Sequence, residues 1–300
     1  MKVLITGGAG FVGSHLAEKL VQQNYKVTIL DNLSSGNLKN LQLIKNKIKF
    51  IRCDLTKQKK LFKLLHNVDY VFHLAGLIDV VKSFDEPVEY YNNNVNGTLN
   101  ILKAAKKAKV KKFVYAASAS CYGNSKKLPT SEKSKIQILS PYALTKWLGE
   151  LLVMNFSKVH KLSAISLRFF NIYGPRSYNS KSSYSAVINV FMQQKISKKP
   201  LTVVGDGKQT RSFIYISDVI DAMIKAAKSN VSGEIFNVGA KKSIRINEIP
   251  KLLSSKKIFI PKRIGELKHS KANISKIKKK LNWNPKINID VGLKKLMKEF

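Results

Sequence analysis

The sequence predicts an α/β protein: a doubly wound parallel sheet with helices on both faces, joined by a smaller, interwoven α/β domain. Three observations predict this fold. Short runs rich in β-branched residues alternate with helix-period segments up to about residue 170, a rhythm typical of parallel sheets covered by helices. A glycine-rich turn follows the first run, and after residue 170 the composition changes to short mixed elements separated by prolines.

Six runs are predicted to form the strands of the sheet, because each is short and bounded by turn residues: residues 2–6, 26–30, 48–52, 68–75, 111–118 and 162–170. Apolar residues at helical spacing predict four helices, at about 12–23, 57–65, 88–108 and 141–160. We expect a first domain over 1–170, with 212–238 packing back on it. The remaining segments, 171–211 and 239–300, are expected to form the second domain.

The charge of the chain does not indicate nucleic-acid binding. The formal net charge is +36, but only six of the 54 basic residues are arginine, and lysines are spread along the whole chain. A nucleic-acid surface concentrates charge in a stripe or patch, whereas these lysines fall on expected helix faces and turns. We therefore expect no nucleic-acid partner.

Four arginines lie in motifs where a planar guanidinium suits phosphate: Arg168, Arg176, Arg211 and Arg263.

Hydropathy and cysteine content favour a cytoplasmic protein. No apolar stretch reaches the roughly 18 consecutive residues of a membrane helix, so no membrane insertion is expected. Glycines interrupt the first apolar segment and argue against a signal peptide. The two cysteines, Cys53 and Cys121, have neither metal-ligand spacing nor the pattern of a disulfide framework. We expect no metal site.

The turn after the first predicted strand matches a dinucleotide-binding pattern. Gly8, Gly10 and Gly13 satisfy G-x-G-x-x-G between a strand and a helix, and Asp31 ends the second strand 18 residues after Gly13. Gly7 and Gly8 permit a tight turn, Gly10 lets backbone approach a pyrophosphate, and the helix N-terminus offers N–H groups to it. The Asp31 carboxylate would accept ribose hydroxyls and repel a 2′-phosphate, which favours NAD over NADP. The alternative is a glycine turn that only packs a helix on a strand.

Other candidate residues lie at the ends of later strands. Asp54 follows the third strand, and Ser118 and Ser120 follow the fifth. The carboxyl ends of parallel strands form the ligand crevice of doubly wound sheets. His73 lies within an apolar run and is interpreted as a buried structural histidine rather than a base.

Tyr142 and Lys146 lie four residues apart in the last predicted helix of the sheet domain. Residues at this spacing are neighbours on any helix, so the pair alone could be surface decoration. Ser118 at the same crevice favours a functional interpretation of the pair, because a serine, a tyrosine and a lysine would then converge beside a nicotinamide. An ammonium one turn away and a positively charged nicotinamide would both favour phenolate, and we expect the pKa of Tyr142 to be lowered.

These motifs together resemble the extended short-chain dehydrogenase/reductase family, and within it the NAD-dependent sugar-nucleotide epimerases and dehydratases. The resemblance covers essentially the whole chain, in the family's order: "TGGAGFVG", "DNLSSGN", "CDL", "HLAG", "NNVNGTLNIL", "YALTK", "RFFNIYGPR", "VVGDGKQTRSFIYISDV", "FNVG" and "PKRIGELKHSKANISKIKKKLNWNPK". It implies a Rossmann-type sheet domain and a smaller substrate domain. It also implies a UDP-sugar substrate and a homodimer built through a four-helix bundle of helices 88–108 and 141–160.

The resemblance implies a role for each matching residue. Tyr142 is expected to be the general base, Lys146 to bind the nicotinamide ribose, and Ser118 to hydrogen-bond the reacting hydroxyl. The remaining expected cofactor contacts are Gly7, Gly10, Phe11, Val12, Gly13, Asp31, Asn32, Asp54, Leu55, Leu74, Ala75, Asn93 and Phe169. The remaining expected substrate contacts are Asn171, Ala186, Val187, Arg211, Arg263, Glu266 and Ser270. For the two arginines the alternative is a surface salt bridge.

The residues after Ser118 select the reaction. The family's dehydratases carry an acid and a base beside this position, and its decarboxylases carry a glutamate, whereas this chain has Ala119, Ser120 and Cys121. Elimination would lack its proton-transfer groups. We therefore expect a nucleotide-sugar 4-epimerase. A reductase or dehydratase of the same family, and a non-catalytic dinucleotide sensor, are the alternatives.

Ser270 predicts the width of the sugar pocket. Related epimerases restricted to plain hexoses carry a bulky aromatic at this position, and those acting on N-acetylated sugars carry a small residue. A serine leaves room that a tyrosine ring would fill. The alternative is that Ser270 caps a helix beginning near Asn273.

Overall fold

The computed structural model describes residues 1–57, 61–125, 127–177, 187–261 and 268–299. A seven-stranded parallel sheet lies at its centre, in the order β3-β2-β1-β4-β5-β6-β11. The strands of this sheet are β1 (Lys2–Thr6), β2 (Lys26–Asp31), β3 (Ile48–Arg52), β4 (Tyr70–His73), β5 (Lys112–Ser118), β6 (Ala164–Phe169) and β11 (Glu234–Val238). The first six follow the doubly wound order of dinucleotide-binding sheets. The predicted fold class is confirmed.

Helices cover both faces of the sheet. One face carries α1 (Phe11–Gln22) and α8 (Ile216–Lys228), and the other carries α2 (Leu61–Leu64), α5 (Gly97–Lys107) and α6 (Pro141–His160). Alternate side chains of one strand serve opposite faces, since Val3 and Ile5 pack beneath α1 while Leu4 packs beneath α5. Both faces of every central strand are therefore buried, as expected for a parallel sheet.

The segment predicted as one helix over 88–108 is subdivided. It consists of α4 (Pro87–Tyr91), a π-helical stretch over Asn92–Asn96, and α5. A short helix, α3 (Lys82–Asp85), precedes it. A π stretch adds one residue to a turn and rotates the helix face, so the side chains before and after it do not follow one helical spacing.

The smaller part of the chain is built from short elements at the carboxyl edge of the sheet. Its strands pair in twos, β7 with β10, β9 with β12, and β8 with β13. Their bounds are β7 (Ile172–Tyr173), β8 (Leu201–Val204), β9 (Thr210–Arg211), β10 (Ile214–Tyr215), β12 (Ile244–Arg245) and β13 (Lys257–Ile260). Its helices are α7 (Val187–Ile196), α9 (Ile249–Leu252), α10 (Ser275–Leu281) and α11 (Ile289–Met297). Short 3₁₀ helices span Leu38–Lys47, Ala119–Tyr122 and Ile246–Glu248.

The C-terminal segment is tied to α8 by a buried tryptophan. Trp283 is fully buried, and its indole N–H donates to the Asp218 carbonyl at 3.0 Å. The Asp218 carboxylate accepts the N–H groups of Lys286 and Ile287. In the described part of the chain, no helix is both long and apolar enough to cross a membrane.

A buried ion pair fixes α6 against β6. Glu150 and Arg168 are 2% and 3% exposed, and the guanidinium donates to both carboxylate oxygens, through Nε at 2.9 Å and Nη2 at 2.5 Å. Ser166 donates to the same carboxylate, and Arg168 Nη1 donates to the Tyr122 hydroxyl at 2.7 Å. Tyr122 in turn donates to the Asn237 side chain at 2.6 Å. One arginine therefore joins α6, β6, the turn after β5 and strand β11.

The ion pair predicts a large stability effect. Replacing Glu150→Gln leaves Arg168 buried without its counter-charge, and the free energy of unfolding should fall by about 3–5 kcal/mol. Asp206→Asn is the matched control, because Asp206 and Lys208 form an exposed pair at 3.8 Å worth less than about 1 kcal/mol. Urea unfolding of both variants measures the difference. Equal, small effects would mean that the buried pair does not hold α6 in place.

Candidate active site

The glycine turn is closely packed on one side and open on the other. Gly7 has φ +68°, a conformation that favours glycine. A Cβ on Gly7 would lie 2.7 Å from the Ala75 backbone nitrogen, and a Cβ on Gly13 would overlap the Gly7 carbonyl. At Gly10 a Cβ would approach only the Gly7 carbonyl, at 3.3 Å. Helix α1 then begins without a side-chain cap, so its first N–H groups and the open side of Gly10 fit the pyrophosphate of NAD.

The carboxylate of Asp31 is fixed at the end of β2. Its Oδ2 accepts the Ala9 N–H at 2.9 Å and its Oδ1 accepts the Leu33 N–H at 2.8 Å. The side chain is buried beside the glycine turn, with Gly36 packed against its oxygens. Each oxygen keeps a further lone pair, so the carboxylate can still accept ribose hydroxyls.

Asn32 and Asp54 lie at the neighbouring strand ends. Asn32 accepts the Ser34 N–H at 3.0 Å, and Asp54 accepts both the N–H and the hydroxyl of Thr56. Burial raises the pKa of Asp54, but the Thr56 hydrogen bonds and the nearby Lys57 outweigh it, so the pKa lies below its ordinary value. Asp54 is therefore an ionised acceptor near neutral pH. The Leu55 carbonyl accepts a hydrogen bond from the Asn100 side chain at 2.9 Å.

Thr6 organises the loop after β4. Its hydroxyl accepts the N–H groups of Leu74 and Ala75, both at 3.2 Å, and lies 2.6 Å from His73 Nδ1. His73 Nε2 lies 2.9 Å from the Thr98 hydroxyl, which itself donates to a backbone carbonyl. Nε2 is therefore the protonated nitrogen and Nδ1 the acceptor. Burial, assisted by Lys146, lowers the pKa of His73 to about 3, which confirms the prediction of a structural histidine.

The end of β5 and the start of α6 bring Ser118 and Tyr142 together. Ser118 ends β5, caps the 3₁₀ turn that follows and accepts the Ser120 hydroxyl at 2.9 Å. Helix α6 begins at Pro141, where the Ser140 hydroxyl accepts the Ala143 N–H at 3.1 Å. Tyr142 thus lies in the first turn of α6, and its hydroxyl is hydrogen-bonded to Ser118. Lys146 follows one turn later on the same face.

The expected lowering of the Tyr142 pKa is wrong for the protein alone. Burial raises the pKa of Tyr142, and the Ser118 hydrogen bond opposes this only in part. Burial also lowers the pKa of Lys146 to about 7, with Glu150 acting in the opposite direction. The sequence-based expectation assumed both a full ammonium and a positively charged nicotinamide beside Tyr142, whereas in the protein alone a site of low polarity disfavours both the phenolate and the ammonium. The tyrosine is therefore neutral at neutral pH in the unliganded protein.

Asn94, rather than the predicted Asn93, reaches the crevice. The Asn93 side chain donates to the Glu89 carbonyl on its own helix. Asn94 is 1% exposed, accepts the Leu77 N–H at 2.8 Å and donates to the Leu77 carbonyl and the Thr145 hydroxyl. It thereby joins the loop after β4 to α6. In the sequence, Asn94 lies four residues before Thr98, and this spacing could have indicated that both face inward. The π stretch obscured which asparagine faces inward.

Several expected substrate residues lie around β9. The Asn171 amide donates to the Ser212 carbonyl at 3.4 Å, Arg211 is in β9, and the Ser270 N–H donates to the Thr210 carbonyl at 3.0 Å. Val187 begins α7, and Phe169 ends β6 beside Ser118. Ala186, Arg263 and Glu266 lie outside the described residues. Helix α10 begins at Ser275 with no side-chain cap at its N-terminus, so the alternative that Ser270 caps this helix is wrong.

Two arginines noted as suited to phosphate pair with carboxylates instead. Arg168 is engaged with Glu150. Arg176 bonds Glu18 and donates to Ser14 at 2.9 Å, both on α1. The sequence motifs did not indicate these carboxylate partners, because Glu150 and Glu18 are distant from the arginines in the chain.

Comparison with known proteins shows the family of this chain. The family model described as "NAD dependent epimerase/dehydratase family" matches residues 3–239. The chain belongs to this family, and its cofactor is NAD.

Relatives with different reactions match over the full length. The UDP-glucose 4-epimerase of Mycolicibacterium smegmatis is 31% identical, covering 100% of this chain and 98% of the relative. The UDP-N-acetyl-alpha-D-glucosaminuronate decarboxylase of Bacillus cytotoxicus is 34% identical, covering 100% and 97%. The structure of the UDP-N-acetylglucosamine 4-epimerase from Methanobrevibacter ruminantium M1, in complex with UDP-N-acetylmuramic acid, superposes with a TM-score of 0.94 at 35% identity, covering 99% and 97%. Overall similarity therefore does not separate the reactions.

The position of Asp31 predicts cofactor preference. NAD should bind at least about 10-fold more tightly than NADP, because a 2′-phosphate would meet the fixed carboxylate. Asp31→Ser should narrow this ratio, whereas Asp69→Ser, at the opposite edge of the sheet, should leave it unchanged. Calorimetric titration of cofactor-free protein measures both affinities. Equal binding of NAD and NADP by the wild type would contradict the assignment of Asp31.

Proposed function

We propose that this chain inverts the configuration at carbon 4 of a UDP-sugar through a transient 4-keto sugar. The observation that carries the proposal is the turn directly after Ser118, where residues 119–121 are Ala, Ser and Cys. A dehydratase or decarboxylase of this family would need a carboxylate there, so the proposal favours the M. smegmatis and M. ruminantium relatives over the B. cytotoxicus one. Epimerisation removes hydride from carbon 4 and returns it, and this requires no acid besides Tyr142.

The side chains of the site divide the proton transfer between them. Tyr142, as phenolate, takes the proton of the sugar 4-hydroxyl while Ser118 hydrogen-bonds the same oxygen. When bound, NAD would supply the hydride acceptor and donor for carbon 4, and its nicotinamide would add a positive charge beside Tyr142. The keto sugar turns its other face before the hydrogen returns, and Tyr142 gives back the proton. Because one tyrosine holds the proton throughout, each turnover is neutral in protons and in electrons.

Burial of Tyr142 suits this reaction. The raised pKa keeps the tyrosine protonated in the protein alone, so the base is activated only when cofactor charge and the Lys146 ammonium are both present. Phe169, beside Ser118 in the sheet, and Asn94 are assigned to the cofactor side of the crevice, and Asn171 and Arg211 are assigned to the diphosphate. We therefore propose that the crevice has a cofactor half, formed by the sheet domain, and a sugar-nucleotide half, formed by the smaller part of the chain.

Removing the Tyr142 hydroxyl should abolish turnover without unfolding the protein. Tyr142→Phe is expected to lower kcat by at least about 10²-fold, the usual range for a lost general base, with NAD binding retained. Tyr25→Phe, at the amino end of β2, is the matched control. Coupled assay of UDP-galactose formation from UDP-glucose, or chromatographic resolution of the N-acetylated pair, measures the rates. Wild-type turnover by the Tyr142 variant would remove it from the mechanism.

We propose that the sugar pocket admits an N-acetyl group at carbon 2. Ser270 is half-buried and follows the bridge between Thr210 and His269, next to Arg211 in β9. This placement beside a proposed diphosphate contact supports a position along the sugar. A small side chain there leaves space, which permits the N-acetyl group without requiring it.

Filling that space should select against the larger substrate. Ser270→Tyr is expected to lower kcat/KM for UDP-N-acetylglucosamine by about 10- to 200-fold relative to UDP-glucose, the range that one steric group in a pocket produces. Ser270→Ala is the control and should preserve the ratio. A Ser270→Tyr enzyme with unchanged substrate preference would show that position 270 does not border the sugar.

We propose a homodimer in which α4–α5 and α6 of two copies form a four-helix bundle. The supporting observation is an apolar, exposed surface across these helices: Val88 and Tyr91 on α4, with Leu144 and Leu151 one heptad apart on α6. Lysines near the end of α5 oppose pairing, so association should strengthen with salt. Two-fold pairing would bury both copies of the surface.

The surface predicts the oligomeric state. Sedimentation at micromolar concentration should give twice the chain mass of 33.7 kDa, and Leu151→Arg should give the monomer because it places two arginines at the two-fold axis. Leu43→Arg is the control, since Leu43 is 81% exposed in the 3₁₀ segment. A wild-type monomer at moderate salt would overturn the dimer.

We also propose a cytoplasmic location. Cys53 and Cys121 are both free and buried, and burial raises the pKa of the Cys121 thiol to about 12. Free thiols fit a reducing compartment. Recovery of the protein with both thiols reduced from a cytoplasmic fraction is the corresponding observation.

A further inference from the structure

Lys146 is buried, and its side chain has no hydrogen-bonding partner among the residues that the structure describes. The residue is 5% exposed, and none of the described residues accepts a hydrogen bond from its Nζ. The carboxylate one turn further along α6, Glu150, is occupied by Arg168 and Ser166. A buried ammonium normally needs a counter-charge or acceptors to remain charged.

The contact that Lys146 does make is with an aromatic ring. Its Nζ lies 4.5 Å from the centroid of the Tyr115 ring. Tyr115 is fully buried near the middle of β5, and its hydroxyl donates to the Lys146 carbonyl at 3.3 Å. An ammonium over a ring face gains electrostatic stabilisation from the π electrons.

The Tyr115 ring is held in place from several sides. A Cβ on Gly149 would overlap the Tyr115 hydroxyl, so glycine at 149 lets α6 approach the ring. The His73 ring lies 5.6 Å away, tilted by 32°. A ring confined in this way cannot turn aside when the lysine moves.

A ring face and a carboxylate would have different consequences for the lysine. A carboxylate would keep the amine charged but would take up its N–H donors and direct them to itself. A ring face favours the charge without accepting a conventional hydrogen bond, so the N–H donors that do not face the ring remain available. These donors are what a ribose hydroxyl pair needs.

We propose that Tyr115 is a positioning residue whose ring face holds the Lys146 ammonium in place and charged, leaving its N–H donors for the cofactor. The proposal rests on the proposed function, with Lys146 binding the nicotinamide ribose as the family resemblance implies. It concerns a residue that no motif in the sequence singled out.

The other charged groups around Lys146 do not replace the ring. His73 on β4 is neutral, Arg168 on β6 is paired with Glu150, and burial raises the pKa values of Tyr115 and Tyr142, so both are neutral. Glu150 favours the ammonium at longer range, and burial opposes it. Loss of the ring should therefore lower the midpoint of Lys146 titration, by about 1 pH unit for a desolvated contact.

The test is the titration of Lys146 itself in cofactor-free protein. Trace acetylation with acetic anhydride between about pH 5 and 10, with the modified Lys146 peptide quantified by mass spectrometry, measures its midpoint, expected near 7 in the wild type. Tyr115→Phe keeps the ring and should keep this midpoint. Tyr115→Leu removes the ring and should lower the midpoint by about 1 unit. NAD affinity at pH 7, measured by calorimetry, should fall with the midpoint.

An isosteric variant separates ring electrostatics from packing. Pentafluorophenylalanine at position 115 fills the same space but reverses the charge distribution of the ring face, so it should lower the Lys146 midpoint at least as far as Tyr115→Leu. A folded pentafluorophenylalanine variant with the wild-type midpoint, or with a higher one, would overturn the proposal. Because labelling needs no sugar, failure to epimerise any UDP-sugar would contradict the proposed reaction without affecting this result.

Discussion

The buried ion pair between Glu150 and Arg168 is the interaction on which the site depends. It fixes α6 against the sheet, and α6 carries Tyr142 and Lys146 on the face that meets the carboxyl edge of β5. Through Tyr122 the same arginine holds the turn that follows Ser118, so both partners of the Ser118–Tyr142 hydrogen bond are positioned by one guanidinium. A pair with only 2–3% exposure is costly to desolvate. Additional hydrogen bonds offset this cost, from Ser166 to the carboxylate and from the guanidinium to the Tyr122 hydroxyl.

The central sheet could be predicted closely from the sequence because its strands are buried on both faces. Continuous β-branched runs leave little choice of period, and strand β1 over Lys2–Thr6 and helix α6 over Pro141–His160 begin and end where their patterns do. The helix expected over 88–108 was less well predicted, because a π stretch at Asn92–Asn96 rotates its face. Helical spacing assumes a constant turn, and no local sequence signal marked the change.

The positions of site residues could be predicted where turn and helix geometry determine them. Properties that depend on burial, such as a pKa, could not be predicted. Glycines 7, 10 and 13, Asp31 and the Tyr142–Lys146 spacing follow from turn and helix geometry, whereas the choice between Asn93 and Asn94 required the π stretch. In the protein without NAD, burial raises the pKa of Tyr142, and the sequence did not indicate this because residue identities carry no measure of desolvation. Tyr115 escaped notice for a related reason: an aromatic residue in a central strand is typical of any core, and only the structure places Lys146 over its ring.

The central proposal, redox-neutral inversion at carbon 4 of a UDP-sugar, is tested most directly by following an isotope at that carbon. UDP-glucose and UDP-N-acetylglucosamine carrying deuterium at carbon 4 would be incubated separately with the enzyme and NAD, and the products resolved by nuclear magnetic resonance and mass spectrometry. The proposal predicts the 4-epimer with deuterium retained at carbon 4 and no net accumulation of reduced cofactor. Loss of water from the sugar, stoichiometric change in reduced cofactor, or conversion of neither substrate into its 4-epimer would contradict it.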